Sequence, residues 1–123
     1  MSTLQVTNIQ ATGETASRAV SGVAAAWVNF NGQGTIAIRD SANVSSLTDI
    51  GTGVYYINFS NNFSSDKYSV AVGVSNSSSN DNTGNSLAYG TLYSVSQYSF
   101  AHFELGTETD TNRVNNTVHG DLA

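Results

Sequence analysis

The sequence predicts an all-β protein: an antiparallel β-sandwich of about eight short strands, preceded by an extended N-terminal arm. Three observations predict it. Apolar and polar residues alternate in several short runs, the period of a half-buried strand. Clusters of Gly, Asn, Asp and Ser separate these runs at roughly 8–12-residue spacing, as in sandwiches and barrels. Charged residues make up only 11% of the chain, against about 25% in an average domain, and Ser, Thr, Asn and Gly take their place.

Taken in order, residues 2–9 read as a short extended segment in which Leu4 and Val6 alternate. Residues 10–23 are small and polar with weak periodicity, an arm or linker; a short helix over residues 14–20 with Thr12 as its cap is the competing reading. We therefore divide the chain into an arm, 1–23, and a β-sandwich module, 24–123. From Ala24 the strand signals are strong. Ala26, Val28 and Phe30 share one face, with Trp27 and Asn29 on the other. Asn31-Gly32 follows and predicts a tight hairpin turn, because both residues tolerate positive φ. Ile36 and Ile38 then share a face over residues 35–39. Residues 41–48 are a weaker strand in which Val44 and Leu47 are oddly spaced, which predicts a bulge or bend.

Residues 49–53 form a turn, after which Tyr55, Ile57 and Phe59 alternate. The polar loop 61–67 holds Phe63, expected to plug the core edge. Tyr68, Val70, Val72 and Val74 give the cleanest two-residue period in the chain, with small Ser69, Ala71 and Gly73 opposite. Residues 75–86 and 107–113 read as polar loops around strands at 87–93 and 98–105. A last strand, 114–120, carries Val114 and Val118. Proline is absent, so strand edges must be protected by charge, bulges or pairing with another chain.

Composition excludes several functions. At 123 residues the chain is one domain. Net charge is -5 and there are four basic residues, with no cluster to neutralise phosphates, so we expect no nucleic-acid binding. Without cysteine there is no disulfide or thiolate metal site. No apolar run approaches 18 residues, so we expect no membrane insertion. The opening MSTLQVTNIQ lacks the pattern of a signal peptide, so the Asn-x-Ser/Thr sequons are read as unmodified.

One stretch carries a resemblance. Ala26-Trp27-Val28-Asn29-Phe30-Asn31-Gly32 leads into Gly34-Thr35, Ala37-Ile38-Arg39 and Ser41. Asn43-Val44-Ser45-Ser46, Thr48-Asp49, Gly51, Gly53, Tyr55, Asn58-Phe59 and Tyr68 continue it, ahead of a Val/Ala-rich strand that runs to about residue 74. This order resembles the distal, receptor-binding module of bacteriophage tail fibres, and Ser2-Thr3-Leu4-x-Val6 is similar to fibre openings in phages infecting cyanobacteria. Residues 114–120 resemble the apolar strand and glycine that end such modules, with polar residues interposed. The resemblance implies a virion protein made in the host cytoplasm: a homotrimer that meets other virion proteins through its arm and host-surface glycan through its tip. A structural capsid, collar or baseplate fibre is the alternative it leaves open.

Candidate ligand-binding residues are Tyr89, Tyr93 and Tyr98, which flank the turn at 94–97, since tyrosine offers a ring for stacking and a hydroxyl for bonding. With them stand Asn80, Asp81 and Asn82 of the long polar loop, in a stretch, 80–85, that offers short carboxylate and amide oxygens at alternate positions. Hard cations such as calcium take such oxygens, but the loop lacks a bidentate terminal carboxylate and reads as solvated. Glu104, Glu108 and Asp110 likewise read as a solvated acidic cluster. Trp27 sits mid-strand, so a core or interface position is favoured over a sugar platform. His102 and His119 read as surface or hydrogen-bonded side chains rather than a metal site. No Gly-x-Ser-x-Gly elbow is present, and Glu104 with Asp66 or Asp110 is a weak basis for glycosidase chemistry. We expect no enzyme activity, no catalytic residue, no metal and no cofactor.

Overall fold

The computed structural model describes residues 1–10, 12, 13, 15, 18–75 and 86–123. Among them the chain is all-β and forms a two-sheet antiparallel sandwich. Strands β1 (Asn8–Ile9) and β2 (Arg18–Ala19) pair as a short ribbon in the arm. A single 3-10 turn, Val20–Gly22, follows; of the span 14–20 that could have been a helix, Arg18–Ala19 is strand β2 instead. The first main sheet contains β3 (Ala24–Asn31), β4 (Ala37–Ala42), β7 (Ser69–Ser75) and β11 (Arg113–His119) in the order β4-β3-β11-β7. The second contains β5 (Val44–Gly51), β6 (Val54–Phe59), β8 (Ser86–Tyr93), β9 (Gln97–Glu104) and β10 (Thr107–Glu108). There β9 has β8 along one edge, with β6 and the short β10 along the other; β5 lies beyond β6.

The core lies between the sheets and follows the two-residue period. Ala26, Val28 and Phe30 from β3, Tyr55, Ile57 and Phe59 from β6, and Val114 and Val118 from β11 are buried. Phe30 meets Tyr55 edge-on at 5.3 Å between ring centroids and Phe100 at 6.3 Å, which ties the sheets together. Each such pair contributes about 0.5–1.5 kcal/mol beyond area burial. Phe63 plugs the sandwich end as expected, 4.7 Å from both Phe59 and Tyr68.

Local chemistry decides the turns, not always as the sequence suggests. Asn31-Gly32 is not a two-residue hairpin: five residues, 32–36, join β3 to β4, and the left-handed residue is Gly34, at φ 62°. Gly32 is needed for another reason. A Cβ there would sit 2.7 Å from the Tyr55 hydroxyl and 2.8 Å from the Thr111 carbonyl. The expected strand over residues 41–48 is broken at Asn43, whose φ of 55° passes the chain from one sheet to the other. Asn43 Oδ1 accepts from Asn61 N–H at 2.7 Å and pins this corner. The odd spacing of Val44 and Leu47 is a bulge: Val44 opposes Phe59 while Ser46 opposes Asn58.

The C-terminal strand β11 sits in the middle of its sheet rather than at an edge. Its inward residues are Val114, Asn116 and Val118. Asn116 is therefore a polar residue in the core. Its Nδ2 donates to the Tyr98 hydroxyl at 2.9 Å, and its Oδ1 has no partner among the described residues.

Candidate functional site

The tyrosines expected to act together do not converge. Tyr98 is fully buried, its ring among Phe59, Tyr68 and Tyr93. Strand parity is the reason. Tyr98 opposes Ile57 on the same face of β9 as Phe100, so it belongs to the core and is not a ligand contact. Burial pushes its hydroxyl well above the usual tyrosine range, offset in part by the Asn116 amide. Tyr93 lies after a bulge between Gly90 and Tyr93. The bulge turns the ring inward, over Gly90 and 5.4 Å from Tyr68, at the rim of the core. Burial pushes the Tyr68 hydroxyl up to about 12, and it donates to the carbonyls of Ser94 and Gln97 at 3.0 Å. These bonds fix the turn that the candidate tyrosines flank. Asn80, Asp81 and Asn82 lie outside the described residues.

Tyr89 alone stands on an outer face, that of the second sheet, and is 40% exposed. Its ring stacks parallel to Phe103, centroids 5.7 Å apart and planes 2° apart. The register builds a surface around the pair. Tyr89 and Val54 flank Ala101, Tyr56 flanks Ser99, and Asn58 opposes Gln97. Polar groups are interleaved. Asn58 Nδ2 donates to Ser46 Oγ and Thr48 Oγ1, each at 3.1 Å. Ser99 Oγ bonds Thr91 Oγ1 and accepts from Leu92 N–H. Glu108, opposite Phe103, supplies a carboxylate at one end. Phe103 and Tyr56 were not singled out in the sequence; their parity, opposite to Phe100 and to Tyr55, was the signal that could have found them.

The segment after β10, expected to be a solvated acidic loop, is a clamp. Asp110 Oδ1 accepts from Gly53 N–H at 2.7 Å and from the Tyr55 hydroxyl at 2.8 Å. Tyr55 also donates to the Gly32 carbonyl at 2.6 Å. Burial first, then the Asp110 carboxylate, raises the Tyr55 hydroxyl far above its ordinary value, so it stays a donor. Thr109 N–H donates to the His102 carbonyl, and His102 Nδ1 lies 2.8 Å from the Thr109 carbonyl. Thr111 is buried; its hydroxyl donates to Ser75 and its carbonyl accepts from Gly32 N–H. Asp110 is thus a structural acceptor, and pairing it with Glu104 for catalysis finds no support in this geometry.

His102 is buried in the second sheet while His119 lies on the outer side of the first, so they do not share a site. Among the described residues no group of three or more His, Asp or Glu side chains could hold a metal ion. No helix there is long and apolar enough to cross a membrane. Trp27 is not in the core. It stands half-buried on the outer face of the first sheet, between Ala42 of β4 and Thr117 of β11, because Ala26, Val28 and Phe30 hold the inward parity of β3.

Comparison of the chain with family models, with curated proteins and with solved structures finds no match.

Proposed function

We propose that this chain is a bacteriophage virion fibre protein whose sandwich, assembled as a homotrimer, recognises host-surface glycan without catalysing a reaction. The observation that carries this reading is the outer face of the second sheet, where the stacked Tyr89–Phe103 pair stands beside Tyr56 and the Asn58, Ser46 and Thr48 polar groups. Aromatic faces pack against the C–H faces of sugars, and amides and hydroxyls match sugar hydroxyls in both directions. The resemblance of residues 26–74 to fibre modules supplies the virion context. Several copies would convert weak single contacts into useful avidity.

The arm supplies the second half of the proposal. Leu4, Val6 and Ile9 are exposed apolar side chains at its outer end, suited to docking on another virion protein. That same observation favours the alternative, a structural capsid, collar or baseplate fibre. Competition with phage adsorption separates the two. The purified oligomer is expected to block adsorption to host cells, and Tyr89→Ala is expected to abolish the block. An oligomer that neither binds cells nor competes leaves the structural reading in its place.

A further inference from the structure

The first sheet presents a second outer face, on which Trp27 stands half-buried among polar and small residues. A row runs straight across all four strands: Ala42, Trp27, Thr117 and Ala71. The next row is Asp40, Asn29, Asn115 and Gly73. Trp27 is thus a tall indole rising from a carpet of short side chains. The neighbouring strand places Thr117 about 5 Å from it, and Asn29 lies two residues on, about 7 Å away.

The polar groups around the indole are arranged, not scattered. Asn29 Nδ2 donates to Asn115 Oδ1 across the β3–β11 pair, which fixes both amide planes. Asn115 keeps its two N–H donors, and the Asn29 carbonyl oxygen accepts from Arg39 Nη1 at 3.5 Å, which leaves it one further lone pair. The indole N–H, the Thr117 hydroxyl and the Asn115 N–H groups have no hydrogen-bond partner among the described residues. An apolar partner seated here would strand these donors, at a cost for each group buried without a bond. The Arg39 guanidinium reaches Asn29 and Asp40 stands in the same row, so the charges there are one of each sign and no cation cluster is offered to a phosphate polymer. A neutral polyhydroxylated ring meets both demands: its C–H face covers the indole, and vicinal hydroxyls accept from Asn115 and donate to Asn29.

We infer that the outer face of the β4-β3-β11-β7 sheet is a carbohydrate-binding platform centred on Trp27, with Asn29, Asn115 and Thr117 as its polar contacts and a neutral pyranose unit of a polysaccharide as its ligand. This goes beyond the reading above, since it lies on the opposite side of the sandwich and rests on different residues. It stands even if the protein plays no part in host recognition. Two sheet faces per subunit would let one chain hold two segments of a polysaccharide.

Trp27 is the only tryptophan, so its emission, excited where tyrosine does not absorb, reads this face alone. The intact protein is titrated with cellohexaose, maltohexaose and a linear mannan hexasaccharide. At least one is expected to shift the emission saturably, with a dissociation constant on the order of 1 mM. Asn115→Ala keeps the starting spectrum and weakens that response about tenfold, the effect of one lost hydrogen bond. Trp27→Ala is expected to reduce retardation in a gel containing the polysaccharide whose hexasaccharide shifts the emission. No response to any of the three sugars, up to about ten times the expected constant, overturns the inference. So does emission that changes with protein concentration and not with sugar, which would mean that a second copy covers the indole. If the sugar response is intact and adsorption is not blocked, the host-recognition reading fails and this one survives.

Discussion

Two parts of this molecule are equally polar in sequence and opposite in use. Residues 109–112 bond their polar groups inward: Asp110 to Gly53 and Tyr55, Thr109 to His102, Thr111 to Ser75 and Gly32. The outer sheet faces leave theirs outward: Tyr89 and Phe103 on one side, Trp27 with Asn29 and Asn115 on the other. A polar residue is a candidate for recognition only when folding has not already satisfied it. That criterion leaves Asp110 and Tyr98 off the proposed binding surfaces, and parity places Trp27, Tyr56 and Phe103 on the outer faces where those surfaces are proposed.

Breaking the clamp should damage the fold, and altering the faces should not. The largest effect is expected from Gly53→Ala. Gly53 has φ 70°, and a Cβ there would meet the His102 carbonyl and the Thr109 N–H at 2.7 Å. Both are backbone atoms in the clamp and cannot rotate away. Left-handed strain alone costs about 1–2 kcal/mol, and the clash adds to it, so urea unfolding should show a loss of about 3 kcal/mol or more. Asp110→Ala comes next. It strands the Gly53 N–H while Tyr55 keeps the Gly32 carbonyl, and the expected loss is about 2 kcal/mol, from one buried donor without a partner. A variant as stable as the wild type would return 109–112 to the solvated loop suggested by composition.

Alkaline pH tests the hydroxyls of the interior. Tyr55, Tyr68 and Tyr98 are all raised, chiefly by burial, so the folded chain keeps protons that the unfolded chain releases near pH 10. Above about pH 10 the unfolded state binds fewer protons, so stability falls as pH rises; below that, these groups add no pH dependence. Urea unfolding on either side of pH ~10 checks the sign. The smallest effect is expected from Tyr89→Ala. Its ring leans on Phe103 but lies outside the core, so stability should change by no more than about 0.5 kcal/mol. A larger loss would move that face from recognition to scaffold and blur the contrast.

Much of the scaffold was legible because period-2 alternation is local. Tyr55, Ile57 and Phe59, and Val70, Val72 and Val74, declare an inward face without reference to any partner. The bulge at Val44–Ser46 was legible from the spacing of two apolar residues. The candidate site was much less so. Alternation says that Trp27 and Val28 point apart, yet Trp27, mid-strand and large, reads as core until the neighbours of β3 are known. Tyr89, Tyr93 and Tyr98 look alike in sequence; a bulge after Gly90 and the pairing of Tyr98 with Ile57 send them to three environments. Asn116 resembles its polar neighbours, Asn115 and Thr117, but its parity places it in the core.

By itself, then, the sequence determined the all-β class, the main strands, most of the inward residues, and the exclusion of cysteine chemistry. These follow from side-chain period, turn propensity and charge, each a property of residues close together in the chain. Only the tertiary structure decided which polar groups are satisfied. Gly53 and Asp110 are 57 residues apart and Asn29 and Asn115 are 86 apart, so their hydrogen bonds depend on strand order and register. The insertion of β11 between β3 and β7 brings Asn115 opposite Asn29, and the pairing of β9 with β6 and β8 sets the corresponding register in the second sheet.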